Sequence, residues 1–283
     1  MTNPVVVGVD ASESSGHALE WAADEAWLRH RPLHLLHAWA GEQDEAPGAG
    51  PPDGSDGERL LATASEQALL RHPGLSVTTE LADRPAREAL ADAADRAELL
   101  ALGARGSGGF SRLLLGSTSL HAAASARCPV VVVRPVPAGP LQGGVLVGLQ
   151  GDGRDDRPLA FAFEAAQRRN LPLTAVHAWS YPLVSGPNHA LPPVYEEGHI
   201  VDQQERLLAE LTAQWRQQYP DTVVTTSAVR GGAAKELVTS SRSQQLLVVG
   251  RSREPHGPLG RLGSTSQAVV QHAQCPVAVV PDA

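Results

Sequence analysis

Only one of the chain's 23 basic residues is a lysine, Lys235, and only two of its 283 residues are cysteines. Without a lysine after any glycine-rich stretch there is no Gly-Lys-Ser/Thr phosphate loop of the Walker type. Cys128 and Cys275 lie far apart, each before a proline and an apolar run. They fit buried small residues, not a disulfide framework or a metal clip. No stretch approaches the roughly 18 apolar residues of a membrane helix. The N-terminus passes into Val5 to Asp10 without a basic and apolar leader, so no membrane partner and a cytoplasmic address are expected. Aromatic residues make up 4% of the chain, the net charge is -8, and no basic face is interleaved with aromatics. Nucleic acid is therefore not an expected partner. Gly-x-Ser-x-Gly and His-Glu-x-x-His are missing too, so no catalytic residue is assigned. What remains is 42% hydrophobic and 19% charged, a folded chain long enough for two domains of about 150 residues.

The chain repeats itself. His37-Ala38-Trp39 returns as His177-Ala178-Trp179, at an offset of 140. Val77-Thr78-Thr79 returns as Val224-Thr225-Thr226, Gly116-Ser-Thr-Ser119 as Gly263-Ser-Thr-Ser266, and Cys128-Pro129-Val130 as Cys275-Pro276-Val277, all at 147. Constant offsets on either side of one indel are what a tandem duplication leaves. The domains are read as 1–138 and 143–283, joined where Pro137, Gly139, Pro140, Gly143 and Gly144 cluster. Residues 1–140 carry a net charge of -7 and 141–283 only -1. Much of the difference comes from the acidic stretch between Glu42 and Glu58, in a long loop from Gly41 to Gly57.

In the first half, strands are expected at Val5 to Asp10, Leu33 to Ala40, Leu75 to Ala82, Leu99 to Gly103 and Val130 to Val133. Helices are expected at Ser14 to Arg31, Glu58 to Arg71 and Pro85 to Arg96, and from Gly116 onward. Leu19, Ala22, Ala23, Ala26 and Trp27 are read as sharing one face of the first helix. The second half repeats the order from Val145 to Val280. Such alternation predicts an α/β fold of two tandem doubly wound, Rossmann-like domains, each with a five-stranded parallel sheet of order 3-2-1-4-5. The closing strands, Val130 to Val133 and Val277 to Val280, are edge strands that seek partners.

In that order strands one and four are neighbours where the winding reverses, and ligands bind beyond the carboxyl ends of such strands. Those ends carry Asp10 and Gly103. A carboxylate there can accept from ribose hydroxyls, while a glycine loop and the unpaired N–H groups of the next helix can hold phosphate. Gly103, Gly106 and Gly116 keep that approach open. Between Leu99 and Gln142 there are no acidic residues, while Arg105, Arg112, Arg127 and Arg134 are present. His30, His34 and His37 straddle a helix end and a strand and are read as structural, not as a metal site. The His-Ala-Trp triplets are read as packing, and Trp21, Trp27 and Trp215 as core or partly exposed helix residues.

Gly103-x-x-Gly106, nine residues, then Gly116-Ser117 closely resembles the ATP-binding signature of the universal stress protein family. Val-Gly8-Val-Asp10, Leu-His37 and Cys128-Pro129 with its valine strand resemble that family as well, in two tandem copies covering essentially the whole chain. The resemblance implies ATP as ligand, with Mg2+ allowed beside it, and pairing of two domains across their last strands as an intrachain pseudo-dimer. Further homo-oligomerisation and an unidentified protein partner are also allowed. It implies that Asp10 contacts the ribose and adenine side, Val9 offers a backbone contact beside it, and Ala38 lines the adenine pocket. Gly103 and Gly106 would form the loop, and Gly116, Ser117 and Thr118 the phosphate turn.

The second half departs from this pattern. Gln150 stands at the Asp10 position and Arg253 at that of Gly106, while Pro255 and His256 replace Gly108 and Gly109. Gly250, Gly263 and Ser264 persist. Arg251, Arg253 and Arg261 could attract an anion, but phosphate needs close backbone approach, and proline removes a donor. The expectation is one ATP site, in the first domain, and a degenerate second site of structural or regulatory role. An ATP-binding sensor of the stress response is the favoured function, ahead of a nucleotide-independent scaffold and, last, a slow ATPase.

Overall fold

The all-valine and leucine runs fold as strands buried on both faces, as central parallel strands must be when helices cover each side. A computed structural model describes residues 2–39, 55–106, 115–135, 143–180, 197–251 and 262–282. The first half contains β1 (Val5–Gly8), α1 (Glu13–Arg29), β2 (Leu33–Ala38), α2 (Ser55–Arg71), β3 (Val77–Ala82), α3 (Ala86–Ala94), β4 (Leu99–Gly103), α4 (Ser117–Ser125) and β5 (Val130–Val133). The second contains β6 (Val145–Leu149), α5 (Asp156–Arg169), β7 (Leu173–Trp179), α6 (Glu197–Gln218), β8 (Val224–Arg230), α7 (Ala233–Ser240), β9 (Leu246–Arg251), α8 (Ser264–His272) and β10 (Val277–Pro281), with a short 3-10 turn at Ser241–Ser243.

The ten strands of the described residues form one sheet in the order β3-β2-β1-β4-β5-β10-β9-β6-β7-β8. Each half has the expected 3-2-1-4-5 order with parallel neighbours. The two closing strands meet antiparallel, Val131 opposite Ala278, so neither remains an edge. Side chains alternate across the sheet. Val5, Val7, Leu33 and Leu35 face a core shared with α1, α2, α5 and α6. Val6, Leu36 and Leu100 face a second core under α3, α4, α7 and α8. Cys128 and Cys275 are buried free thiols in that second core, and burial pushes both up to about 12.

The duplication is visible in fine detail. Helices α1 and α5 both end on a left-handed residue, His30 (φ 53°) and Asn170 (φ 53°), whose N–H returns to the last helical turn. Across the junction Arg29 lies over the Phe161 ring at 5.1 Å, and Arg169 over Trp21 at 5.7 Å. These are equivalent pairs at the offset of 140. Glu25, fully buried, receives both guanidinium groups and has no acidic counterpart, since Ala165 occupies its position in α5. Burial raises its pKa, but Arg169 and Arg29 outweigh that and hold the carboxyl below the usual range. The helix face differs from expectation here. Trp27 is 44% exposed and stacks on His72, while Glu25 takes a core position.

Candidate functional site

β1 and β4 lie side by side, Val7 opposite Ala101, so the turn leaving β1 and the loop leaving β4 emerge at the same end of the sheet. Asp10 begins the first turn. Its Oδ1 accepts from the Ser12 amide at 2.9 Å and from the Ser12 hydroxyl, while its own N–H donates to Ser15 Oγ at 2.9 Å. Ser12 also caps α1, accepting from the Ser15 amide at 3.2 Å. The serines of this turn then reach across to β4. Ser12 Oγ donates to the Arg105 carbonyl at 3.2 Å, and the Arg105 amide donates to Ser14 Oγ at 3.2 Å.

The three glycines do different work. A Cβ on Gly103 would sit 2.7 Å from the carbonyl carbon and oxygen of Ser14, so this glycine lets β4 approach the start of α1. It has a packing role within the protein that the sequence did not suggest. A Cβ on Gly106 would sit 2.8 Å from Asp10 Oδ2, which brings the loop glycine and the carboxylate face to face. Among the described residues Gly116 would tolerate a Cβ, with Ala104 O nearest at 3.6 Å, and its amide is already given to that carbonyl at 2.7 Å.

Gly116, in extended conformation, is the N-cap of α4, and among the described residues no side chain caps that helix. Ser117 and Thr118 occupy its first turn and do not serve as caps. Leu120 is the first residue whose amide returns to the Gly116 carbonyl, at 3.0 Å. The amides of Ser117 and Thr118 thus belong to the turn where helix N–H groups lack intrahelical acceptors, suited to an anion. Ser119 anchors the helix by donating its hydroxyl to the Gly103 carbonyl at 2.7 Å. Burial and the nearby charge of Arg105 both lower the pKa of Arg134, two guanidinium groups close enough to repel each other beside this end of β4 and β5.

Val9 commits its amide to Leu36 O at 2.8 Å, and its carbonyl is engaged by His37 Nδ1 at 2.7 Å. A carbonyl has a second lone pair to offer. Ala38 ends β2 opposite Ala82, packed against the second core. All eight candidate residues lie at or just beyond the carboxyl ends of strands or at the N-terminus of α4, Ala38 as the last residue of β2. Sequence reasoning missed Ser12, Ser14, Ser15 and Ser119. The run Ser12-Glu-Ser-Ser15 before an apolar helix was the available signal for the first three.

The second domain keeps the framework and changes the rim. His177 Nδ1 engages Leu149 O at 3.1 Å and Ser266 Oγ donates to Gly250 O at 2.7 Å, as His37 and Ser119 do in the first. The turn after β6 follows a different path, however, with Gly151 and Gly153 at φ 76° and 81°. Asp155, at the Ser15 position, accepts from the Gln150 and Gly151 amides at 2.9 and 2.7 Å. The acid missing at Gln150 has thus reappeared five residues on. Burial pushes its carboxyl up, only partly offset by those amides. A cavity of about 370 Å3 lies between these elements. Arg251, at the Ala104 position, lines the cavity and donates to Ala126 O at the C-terminus of α4. Arg134 returns the contact, donating to Gln271 O at the end of α8 at 2.6 Å. Arg112, Gly108, Gly109, Arg253, Pro255, His256, Arg261 and most of the acidic loop from Gly41 lie outside the described residues.

The model of the Universal stress protein family matches residues 1–134 and again 144–281. Universal stress protein Rv2623 of Mycobacterium tuberculosis (strain ATCC 25618 / H37Rv) is 37% identical over 290 residues, covering 97% of this chain and 95% of its own. Universal stress protein Rv2005c of the same strain is 35% identical, covering 97% and 96%. Among solved structures, a universal stress protein from Archaeoglobus fulgidus DSM 4304 superposes with a TM-score of 0.64 at 19% identity, covering 99% of both chains. At that identity the likeness is one of fold.

Proposed function

The chain belongs to the universal stress protein family, and from that premise we propose that it binds ATP in its first domain and acts as a nucleotide-dependent sensor and regulator in the stress response. The observation that carries the reading is the approach of Gly106 to Asp10, where a Cβ would come within 2.8 Å of the carboxylate. A site that keeps its acid and its loop backbone this close suits a nucleoside on one side and phosphate on the other. Asp10 and the Val9 carbonyl would take the ribose and adenine side, beside Ala38. The amides at Ser117 and Thr118 would take phosphate in the field of Arg105 and Arg134, with Mg2+ accompanying the triphosphate. Gly103 and Ser119 hold the two walls of the site together.

No group is assigned a catalytic role. A bound nucleotide regulates only through a difference in its affinity for two states of the protein. Native mass spectrometry of gently purified protein tests the binding step. ATP carried at near one per chain, and lost in Asp10→Ala and Gly116→Val, is the expected result. Valine accepts the extended backbone of residue 116 (φ -67°, ψ 145°), so the second variant folds while its side chain covers the turn. Nucleotide-free protein whose melting does not respond to added ATP would overturn the reading.

A further inference from the structure

The sheet has two outer strands, β3 and β8, which the duplication sets against each other at an offset of 147. In the first domain Leu81 fills the seam between β3 and α2, where a Cβ on Gly57 would lie 2.8 Å from its Cδ1. In the second domain Ala228 stands at the Leu81 position and Gln204 at that of Gly57. A side chain shortened at a packed seam leaves room unless its neighbours close in. Here they do not, and a groove of about 690 Å3 lies between α6 and β8. Thr226 and Ala228 form one wall, and Asp202, Glu205 and Arg206, at helical spacing on α6, form the other.

The strand wall has open hydrogen-bonding groups. The Leu173 amide donates to the Val223 carbonyl and the Gly231 amide to the Trp179 carbonyl, so the odd-numbered residues of β8 turn their backbone groups toward β7. The alternate residues of a parallel ladder turn theirs the other way. Val224, Thr226 and Ala228 thus offer N–H and C=O at the rim of the groove, and among the described residues no strand covers them. A charge on an edge strand is a common guard against unwanted pairing. β3 carries Glu80, whereas β8 has no charged residue from Val224 to Val229. The helix wall supplies charge instead. Asp202, Glu205 and Arg206 are exposed and make no ion pair among the described residues, while Arg59, the counterpart of Arg206, is paired with Asp56.

We propose that this groove docks an extended, basic segment of a partner protein, added as a further strand against β8 with its lysine or arginine side chains directed at Asp202 and Glu205. In strand addition the main-chain hydrogen bonds give affinity and the alternate side chains give specificity. A second copy of this chain is a poorer occupant. Its own β8 brings no cation between Val224 and Val229, and its α6 brings the same two acids. The proposal is independent of the nucleotide reading of the first domain.

Fluorescence anisotropy on the full chain, with the labelled peptide Thr-Lys-Val-Lys-Val-Lys-Thr as probe and its glutamate-for-lysine version as control, tests this. Saturable binding of the lysine peptide is expected, with none of the glutamate peptide at the same concentration. Thr226→Pro removes an outward N–H and spares the ladder to β7, as proline on an edge strand can. It should weaken binding roughly tenfold. Ala228→Leu restores the first domain's residue and should weaken binding by a similar factor, and it decides the matter alone if the proline variant does not fold. Asp202→Asn combined with Glu205→Gln should weaken binding and flatten its salt dependence. Unchanged binding in a folded Thr226→Pro or in Ala228→Leu would overturn the proposal, because attraction to an acidic surface alone survives both. Equal binding of the two peptides, or no binding of the lysine peptide, would overturn it as well. A dimer of the free chain in native mass spectrometry that Thr226→Pro dissociates would give the edge to a second copy and equally contradict it.

Discussion

The turn after β1 reads Asp10-Ala-Ser-Glu-Ser-Ser15, and its duplicate after β6 reads Gln150-Gly-Asp-Gly-Arg-Asp155. Around these turns the two domains agree closely. A histidine engages a carbonyl at the end of the first strand, Val9 just after β1 and Leu149 as the last residue of β6, a serine ties the fourth helix to the fourth strand at 2.7 Å, and the first helix closes on a left-handed residue. Those bonds hold a helix or strand in place whatever binds, so both copies need them. The groups that face the ligand space have changed character. Serines have become aspartates, the carboxylate has moved from residue 10 to the position of residue 15, and Ala104 has become Arg251. The duplication preserved a scaffold and freed one rim to diverge.

The largest effect is expected where the comparison is most lopsided, at the single acid that serves two equivalent arginines. Glu25→Ala should cost about 3 kcal/mol, because it takes the carboxylate from the half-buried Arg169 and strips the buried Arg29 of one of two. Equilibrium denaturation measures the loss. The effect has a pH signature. A carboxyl whose folded pKa lies below its ordinary value of 4.5 adds stability that is present above that value and lost as pH falls through the folded one. The stability gap between wild type and Glu25→Gln should therefore narrow on acidification below about pH 4.5. A gap that stays constant to the acid limit would remove the ion pair from the account.

A smaller and more diagnostic effect separates the two strand-four glycines. Gly103→Ala drives a Cβ to 2.7 Å from the Ser14 backbone and should cost about 2 kcal/mol, whereas Gly250→Ala meets, among the described residues, only a Pro158 side-chain carbon at 3.3 Å and should cost under about 1 kcal/mol. Equal losses in thermal melting would mean that the first domain's β4 and α1 are less closely joined than described. The smallest difference is expected at the scaffold serines. Ser119→Ala and Ser266→Ala should each lose about 1 kcal/mol, matching one another within about 0.5 kcal/mol, because both hydroxyls donate to a glycine carbonyl at 2.7 Å. Unequal losses would show that divergence reached the scaffold as well as the rim.

Much of this was legible in the sequence because strand and helix periods differ and the chain alternates them cleanly. β4 and β5 fall where their apolar runs do, and the strand order follows from parallel winding. Other features were hidden for physical reasons. A glycine shows that room is needed but not what fills it, so the approach of Gly103 to Ser14 could not be told from an opening for phosphate. The contacts of Arg134 and Arg251 with the ends of α8 and α4 join residues more than a hundred positions apart and leave no local signature. Two features had signals that went unread. Glu25 sits seven residues after Ala18 and three after Ala22, a charge at core spacing. The offset of 140, carried through the turn, already sets Asp155 against Ser15.

Calorimetric titration with ATP of the full chain and of the paired variants Asp10→Ala and Gln150→Ala tests the asymmetry most directly. The expected result is one site per chain, abolished by Asp10→Ala and untouched by Gln150→Ala. Two equivalent sites, or a single site that survives Asp10→Ala and disappears in Gln150→Ala, would contradict it.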